Sequence, residues 1–151
     1  MPDSNQDPTT PARDARPRIL VVDDEPTNLQ VLRQILQDHY HLFFATSGER
    51  ALAAAAKYLP DLILLDIMMP DVSGYEVCRQ IKANPSTEQI PVIFVTSMSD
   101  EEDEVQGFSA GGVDYIQKPI SPPILLLRIR THLSLVRAQG LEDGYEQSHR
   151  P

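Results

Sequence analysis

The chain is expected to form an α/β domain, a doubly wound five-stranded parallel sheet with helices on both faces. Three observations predict it. Apolar runs of strand length alternate with helical patterns through most of the sequence. Those runs are near-continuous in Val, Ile and Leu, as in strands buried on both faces. Polar clusters stand where the runs stop, at the sheet edge on which open α/β folds place their ligands.

The first strand is read at 18–22, where Ile19-Leu20-Val21-Val22 precedes Asp23-Asp24-Glu25. Pro26, pre-set for a first helical turn, opens a helix over 26–38. A strand at 42–46 leads to a helix at 48–58, with Thr46 and Glu49 at capping-box spacing. The run Leu62-Ile63-Leu64-Leu65 gives a strand at 62–66, and Ser73 with Glu76 marks a helix over 74–83. A strand at 92–96, a helix near 100–110, a strand at 113–117 and a helix over 122–138 complete five βα units. Helical crossovers force the strands parallel, with right-handed connections.

A chain of 151 residues, 41% hydrophobic, fits one compact domain with a sizeable core. Its formal charge of −9 disfavours direct contact with nucleic acid or an anionic membrane, since phosphate binding needs clustered Lys and Arg. Cys78 is the one cysteine, so an internal disulfide framework is excluded and the cytosol is the expected compartment. Residues 1–17 carry no apolar signal-peptide core and are read as a disordered leader. The domain proper is expected over 18–138, and 139–151, with Gly140-Leu141-Glu142-Asp143-Gly144, as a linker or tail.

Four strand ends carry chemistry: Asp23 and Asp24, Asp66, Thr96-Ser97, and Lys118-Pro119. Converged, they would join three acids, a hydroxyl and an ammonium. Such crowded hard oxygens suit Mg²⁺, with Mn²⁺ able to substitute, and Asp24 and Asp66 are the first ligand candidates. A carboxylate can also accept a phosphoryl group, a transfer that depends on positioning and charge neutralisation, here by the cation and Lys118. Each residue alone has a plainer use. An Asp after a strand is often a helix cap, and Asp23-Asp24 could simply favour the helix opened by Pro26. The Glu101-Glu102-Asp103-Glu104 run reads as a solvated helix start. His39, His41, His132 and His149 lack metal-ligand spacing, and Cys78 reads as a small buried hydrophobe.

Taken in order, Val21-Val22-Asp23-Asp24-Glu25, Leu65-Asp66-Ile67-Met68-Met69-Pro70 with Gly74, Val95-Thr96-Ser97 and Tyr115-Ile116-Gln117-Lys118-Pro119 resemble the receiver domain of two-component response regulators. The likeness covers residues 18–138 and implies a flavodoxin-like, receiver-type (βα)₅ fold. It implies that Asp66 takes phosphate from a histidine kinase or histidine phosphotransfer protein. It further implies Asp24 as a direct Mg²⁺ ligand, Asp23 assisting, and Met68 contributing its backbone carbonyl. Thr96 and Lys118 would engage phosphoryl oxygens, Tyr115 would turn inward as Thr96 moves, and the Lys118–Pro119 bond would be cis. The expected product is a phosphorylated switch with at most self-catalysed phosphorylation and dephosphorylation, biasing two arrangements of the fourth helix and fifth strand.

Pro26-Thr27-Asn28-Leu29-Gln30 and Pro119-Ile120-Ser121-Pro122-Pro123-Ile124-Leu125 resemble receivers attached to cyclic-di-GMP signalling output domains, although no GGDEF, EAL or HD-GYP signature occurs in these residues. On the last helix, Leu125, Ile129, Leu133 and Val136 form one apolar stripe, while Ile124, Leu127 and Leu135 lie on another side. The second stripe predicts a homodimer through this helix or continuation towards an output partner. Two other classes stay open from sequence: an aspartyl-phosphate hydrolase of the haloacid-dehalogenase type, against which Asp66-Ile67-Met68 lacks a second acid, and an interaction module that never takes phosphate.

Overall fold

The computed structural model describes residues 15–97 and 101–149, the side chains of 101–103 and 138–149 excepted. Ten elements alternate: β1 (Arg18–Val22), α1 (Pro26–Leu36), β2 (His41–Ala45), α2 (Gly48–Tyr58), β3 (Leu62–Leu65), α3 (Gly74–Ala83), β4 (Val92–Thr96), α4 (Glu101–Ser109), β5 (Asp114–Gln117) and α5 (Pro122–His149). The apolar runs become the strands, with ends within one residue of those expected.

All five strands are parallel, in the order β2-β1-β3-β4-β5. The chain passes outward from β1 to β2, then crosses back to β3 on the other side, which makes the β1/β3 boundary the switch in strand order. Alternation along the strands divides the core in two. Leu20, Val22, Ile63, Leu65, Val92 and Phe94 pack against Ala51 and Ala55 of α2 and Val77, Cys78 and Ile81 of α3. Ile19, Val21, Leu62, Leu64, Ile93 and Val95 pack against Leu32 and Leu36 of α1 and Leu125 and Ile129 of α5. Each fully buried Leu or Ile contributes roughly 1.5–3 kcal/mol of transfer free energy, so both faces hold the sheet that carries the polar strand ends.

Three local expectations are corrected. The α2 cap is Ser47 rather than Thr46: its hydroxyl accepts the Arg50 amide at 3.2 Å, and a carboxylate distant in sequence, Asp71, takes the two preceding amides. At α3, Ser73 accepts the Glu76 amide as expected, but the Glu76 carboxylate is bonded to Arg79 and Gln80. Helix α5 continues to His149, through residues read as tail, because nothing in 139–149 is a strong enough breaker to stop it. The leader to residue 14 lies outside the described residues, as do the side chains of Glu101, Glu102, Asp103 and His149; Glu104 is exposed.

Candidate functional site

The switch in strand order brings Asp23 and Asp66 to adjacent strand ends, where the Asp66 amide donates to the Val22 carbonyl at 3.0 Å. Asp23, Asp24 and Asp66 each offer a carboxylate oxygen within 4.8 Å of the others. Asp23 is 1% exposed and is held from two sides: one oxygen accepts the Glu25 amide at 3.0 Å and the other the Lys118 ammonium at 3.0 Å. Lys118 also lies 4.0 Å from Asp66 Oδ1, so a single ammonium faces both loops. Its place follows from the sheet, since β5 runs beside β4 and the Lys118 amide donates to the Thr96 carbonyl at 2.8 Å. The Lys118–Pro119 peptide is cis, as the resemblance implied.

Asp66 is buried, and its Oδ1 accepts the Ile67 amide at 2.9 Å. Burial pushes its carboxyl up to about 6; the Lys118 charge and the Ile67 amide pull it down, while Asp23 and Asp24 push it further up. Among the described residues, three acids against one ammonium leave a deficit of positive charge, which is the electrostatic requirement for a hard cation. Thr96 is buried at the end of β4, and Met68 projects its side chain to solvent from the loop after Asp66.

The loop carrying Met68 folds back tightly on Asp66. The Gly74 amide donates to the Ile67 carbonyl at 2.7 Å, and a Cβ at Gly74 would stand 2.2 Å from the Asp66 carbonyl oxygen. Only glycine permits that approach. Tyr115 pairs in register with Phe94 and packs half-buried on the α2/α3 face; alternation puts Thr96 on that same face of β4. The pair expected to act as a switch therefore shares one side of the sheet.

Two features escaped the sequence reading. Asp114, at the start of β5, accepts from Arg128 at 2.7 Å and pairs with His132 at 3.0 Å, both on α5. Burial works to raise the Asp114 carboxyl, and bonds from His132, the Tyr115 amide and Arg128 overcome it and hold it below the usual range. His132 thus pins α5 to β5, a use that its spacing from other histidines could not reveal. The other is Asp71, at the start of α2. Cys78 is buried, which pushes its thiol up to about 11 and leaves it inert, as expected.

A doubly wound parallel sheet with an acidic cluster at its switch point, faced by a lysine from the end of β5, defines a class of α/β domains whose ligand site lies at that edge. Comparison with known proteins makes the assignment specific: the family described as response regulator receiver domain matches residues 19–130. The chain is 51% identical over 123 residues to a probable cyclic di-GMP phosphodiesterase of Vibrio cholerae serotype O1, covering 82% of this chain and 28% of that protein. It is 43% identical over 131 residues to the response regulator PleD of Caulobacter vibrioides, covering 86% and 28%. A solved CheY-like receiver domain from Methanospirillum hungatei superposes with a TM-score of 0.77 at 30% identity, covering 83% of this chain and 99% of its own. The chain belongs to the response regulator receiver domain family, and its fold is the flavodoxin-like one of that family. It spans 28% of the length of each of the two relatives. Among the described residues no helix is long and apolar enough to cross a membrane.

Proposed function

We propose that Asp66 is the phosphoacceptor of this receiver and that Asp24, Asp66, the Met68 carbonyl and, assisting, Asp23 hold Mg²⁺ beside it. The observation that carries this reading is the meeting of three carboxylates within 4.8 Å with Lys118 reaching two of them. An Asp66 oxygen attacks the phosphorus of a phosphohistidine on a kinase or phosphotransfer protein; the new O–P bond replaces the N–P bond, whose electrons return to the imidazole. Bound Mg²⁺ supplies neutralisation of the oxygens in flight. Lys118 and Thr96 engage phosphoryl oxygens, and Lys118 is thereby drawn from Asp23 towards the new charge. The domain acts as a switch with at most self-catalysed phosphorylation and dephosphorylation.

The output of the switch is assigned to α5 and its neighbours. Ile124, Leu127 and Leu135 are 48%, 50% and 59% exposed, as the second apolar stripe required. This face pairs two phosphorylated copies or contacts an output unit, and likeness to a relative named as a cyclic di-GMP phosphodiesterase points to cyclic-dinucleotide signalling. Calorimetry with Mg²⁺ and then beryllium trifluoride, followed by light scattering, tests the reading. The native chain is expected to bind both and double its mass, and Asp24→Asn to lose Mg²⁺ binding by at least about tenfold. Equal Mg²⁺ binding by Asp24→Asn would remove the metal assignment, and an unchanged mass with the mimic bound would remove pairing.

A further inference from the structure

Both acidic loops of the site lean on the same five residues, 45–49. On one side the Asp23 amide donates to the Ala45 carbonyl at 3.1 Å. On the other, the Gly48 and Glu49 amides donate to Asp71 Oδ1 and Oδ2, each at 3.1 Å. The first amides of a helix have no partner within it, and Ser47 satisfies the Arg50 amide alone. Asp71, 22 residues or more away in sequence, takes both of the others with one carboxylate. These two bonds hold its carboxyl below the usual range, and negative charge is favoured at a helix start.

A second contact shows how closely the loop is pressed there. A Cβ at Gly48 would lie 2.1 Å from Val72 Cγ1 and 3.0 Å from Val77 Cγ2. The loop from 66 to 74 is therefore closed at its root by the Gly74-to-Ile67 bond and clasped at its middle by α2. Met68 stands between the root and the clasp. The acidic pair after β1 is referenced to the same short segment through Ala45.

We propose that Asp71 is a positioning residue for the acidic site, clasping the loop that carries Asp66 and the Met68 carbonyl to the segment that also fixes Asp23. The proposal rests on the reading of this cluster as a Mg²⁺ and phosphoryl site. Asp71 touches neither metal nor phosphate; it acts by holding ligands in register, and loss of such outer support typically weakens a metal site about 10- to 100-fold. A cap serving α2 alone would leave the cluster unaffected.

Amide hydrogen exchange on metal-free protein, with calorimetric Mg²⁺ titration of the same samples, separates these roles. In Asp71→Ala, exchange is expected to quicken at least about tenfold at Gly48 and Glu49 and also at Ile67 and Gly74, with core amides such as Val21 and Ile93 unchanged. The Mg²⁺ Kd is expected to rise about tenfold, and Asp71→Asn, which keeps one acceptor oxygen, to fall between. Acceleration confined to Gly48 and Glu49, or an unaltered Mg²⁺ Kd in both variants, overturns the proposal. Should the native chain itself bind no Mg²⁺, the reading of the site fails, and the exchange at Ile67 and Gly74 alone decides whether Asp71 positions the loop.

Discussion

Replacing Asp66 with Asn is expected to stabilise the metal-free protein by about 3 kcal/mol at neutral pH and above, an order-of-magnitude figure from a carboxyl raised from 3.8 to about 6. The cause is the burial of a charge beside Asp23 and Asp24 with Lys118 already committed to Asp23. The sign follows from the direction of the shift. A folded-state pKa above the unfolded one means that the folded chain holds the proton more tightly. The contribution of this one carboxyl to folding is therefore most favourable below about pH 4, and that advantage is lost as the pH rises through about 6. Asn carries no charge to bury and retains an oxygen for the Ile67 amide. Denaturant melts in EDTA across this range should show the variant's gain growing with pH and vanishing in acid, and Mg²⁺ should shrink it by stabilising the native chain more than a variant that has lost one ligand. A variant less stable than the native chain at neutral pH in EDTA would refute the electrostatic account.

Lys118→Met is expected to do the reverse. Asp23 is 1% exposed, and removing its 3.0 Å partner leaves a buried carboxylate held, among the described residues, by the Glu25 amide. Breaking a buried pair in this way typically costs about 3–5 kcal/mol, and the partial exposure of Lys118 argues for the lower end. Asp23→Asn in the Lys118→Met background should restore much of the loss, because it removes the orphaned charge; the coupling in such a cycle measures the pair itself. Saturating Mg²⁺ should also recover part of it, a cation near the three carboxylates replacing the missing ammonium. Urea unfolding of the four proteins gives the answer. A loss below about 1 kcal/mol would put the pair in the class of surface ion pairs.

What the sequence revealed and what it hid divide along sequence distance. The strands were legible because each is a continuous apolar run bounded by polar residues, and the acidic site because its members sit at run ends that a parallel sheet must gather on one edge. Asp23, Asp24, Asp66, Thr96 and Lys118 all stand at such ends. The α2 cap was misread by one residue, Ser47 and not Thr46 accepting the amide three residues on, while the Asp71 bonds to Gly48 and Glu49 come from the β3–α3 loop, a contact that no local spacing encodes. The Arg128–Asp114–His132 cluster was hidden for the same reason, joining a strand start to a helix 14 and 18 residues on. The raised Asp66 carboxyl depends on burial and on the direction Lys118 takes, which belong to packing and not to pattern. The exposed stripe on α5 was legible in part: Leu125 and Ile129 of the other stripe are buried, but Val136 is itself 38% exposed, and the length of that helix was not legible.

Intact-protein mass after incubation with acetyl phosphate and Mg²⁺ tests the central claim most directly, since a small donor needs no cognate kinase. The native chain is predicted to gain the mass of one phosphoryl group, and to gain nothing in EDTA or as Asp66→Asn. A folded native chain that binds Mg²⁺ yet stays at its starting mass, or an Asp66→Asn variant that gains the same group, would contradict Asp66 as the phosphoacceptor.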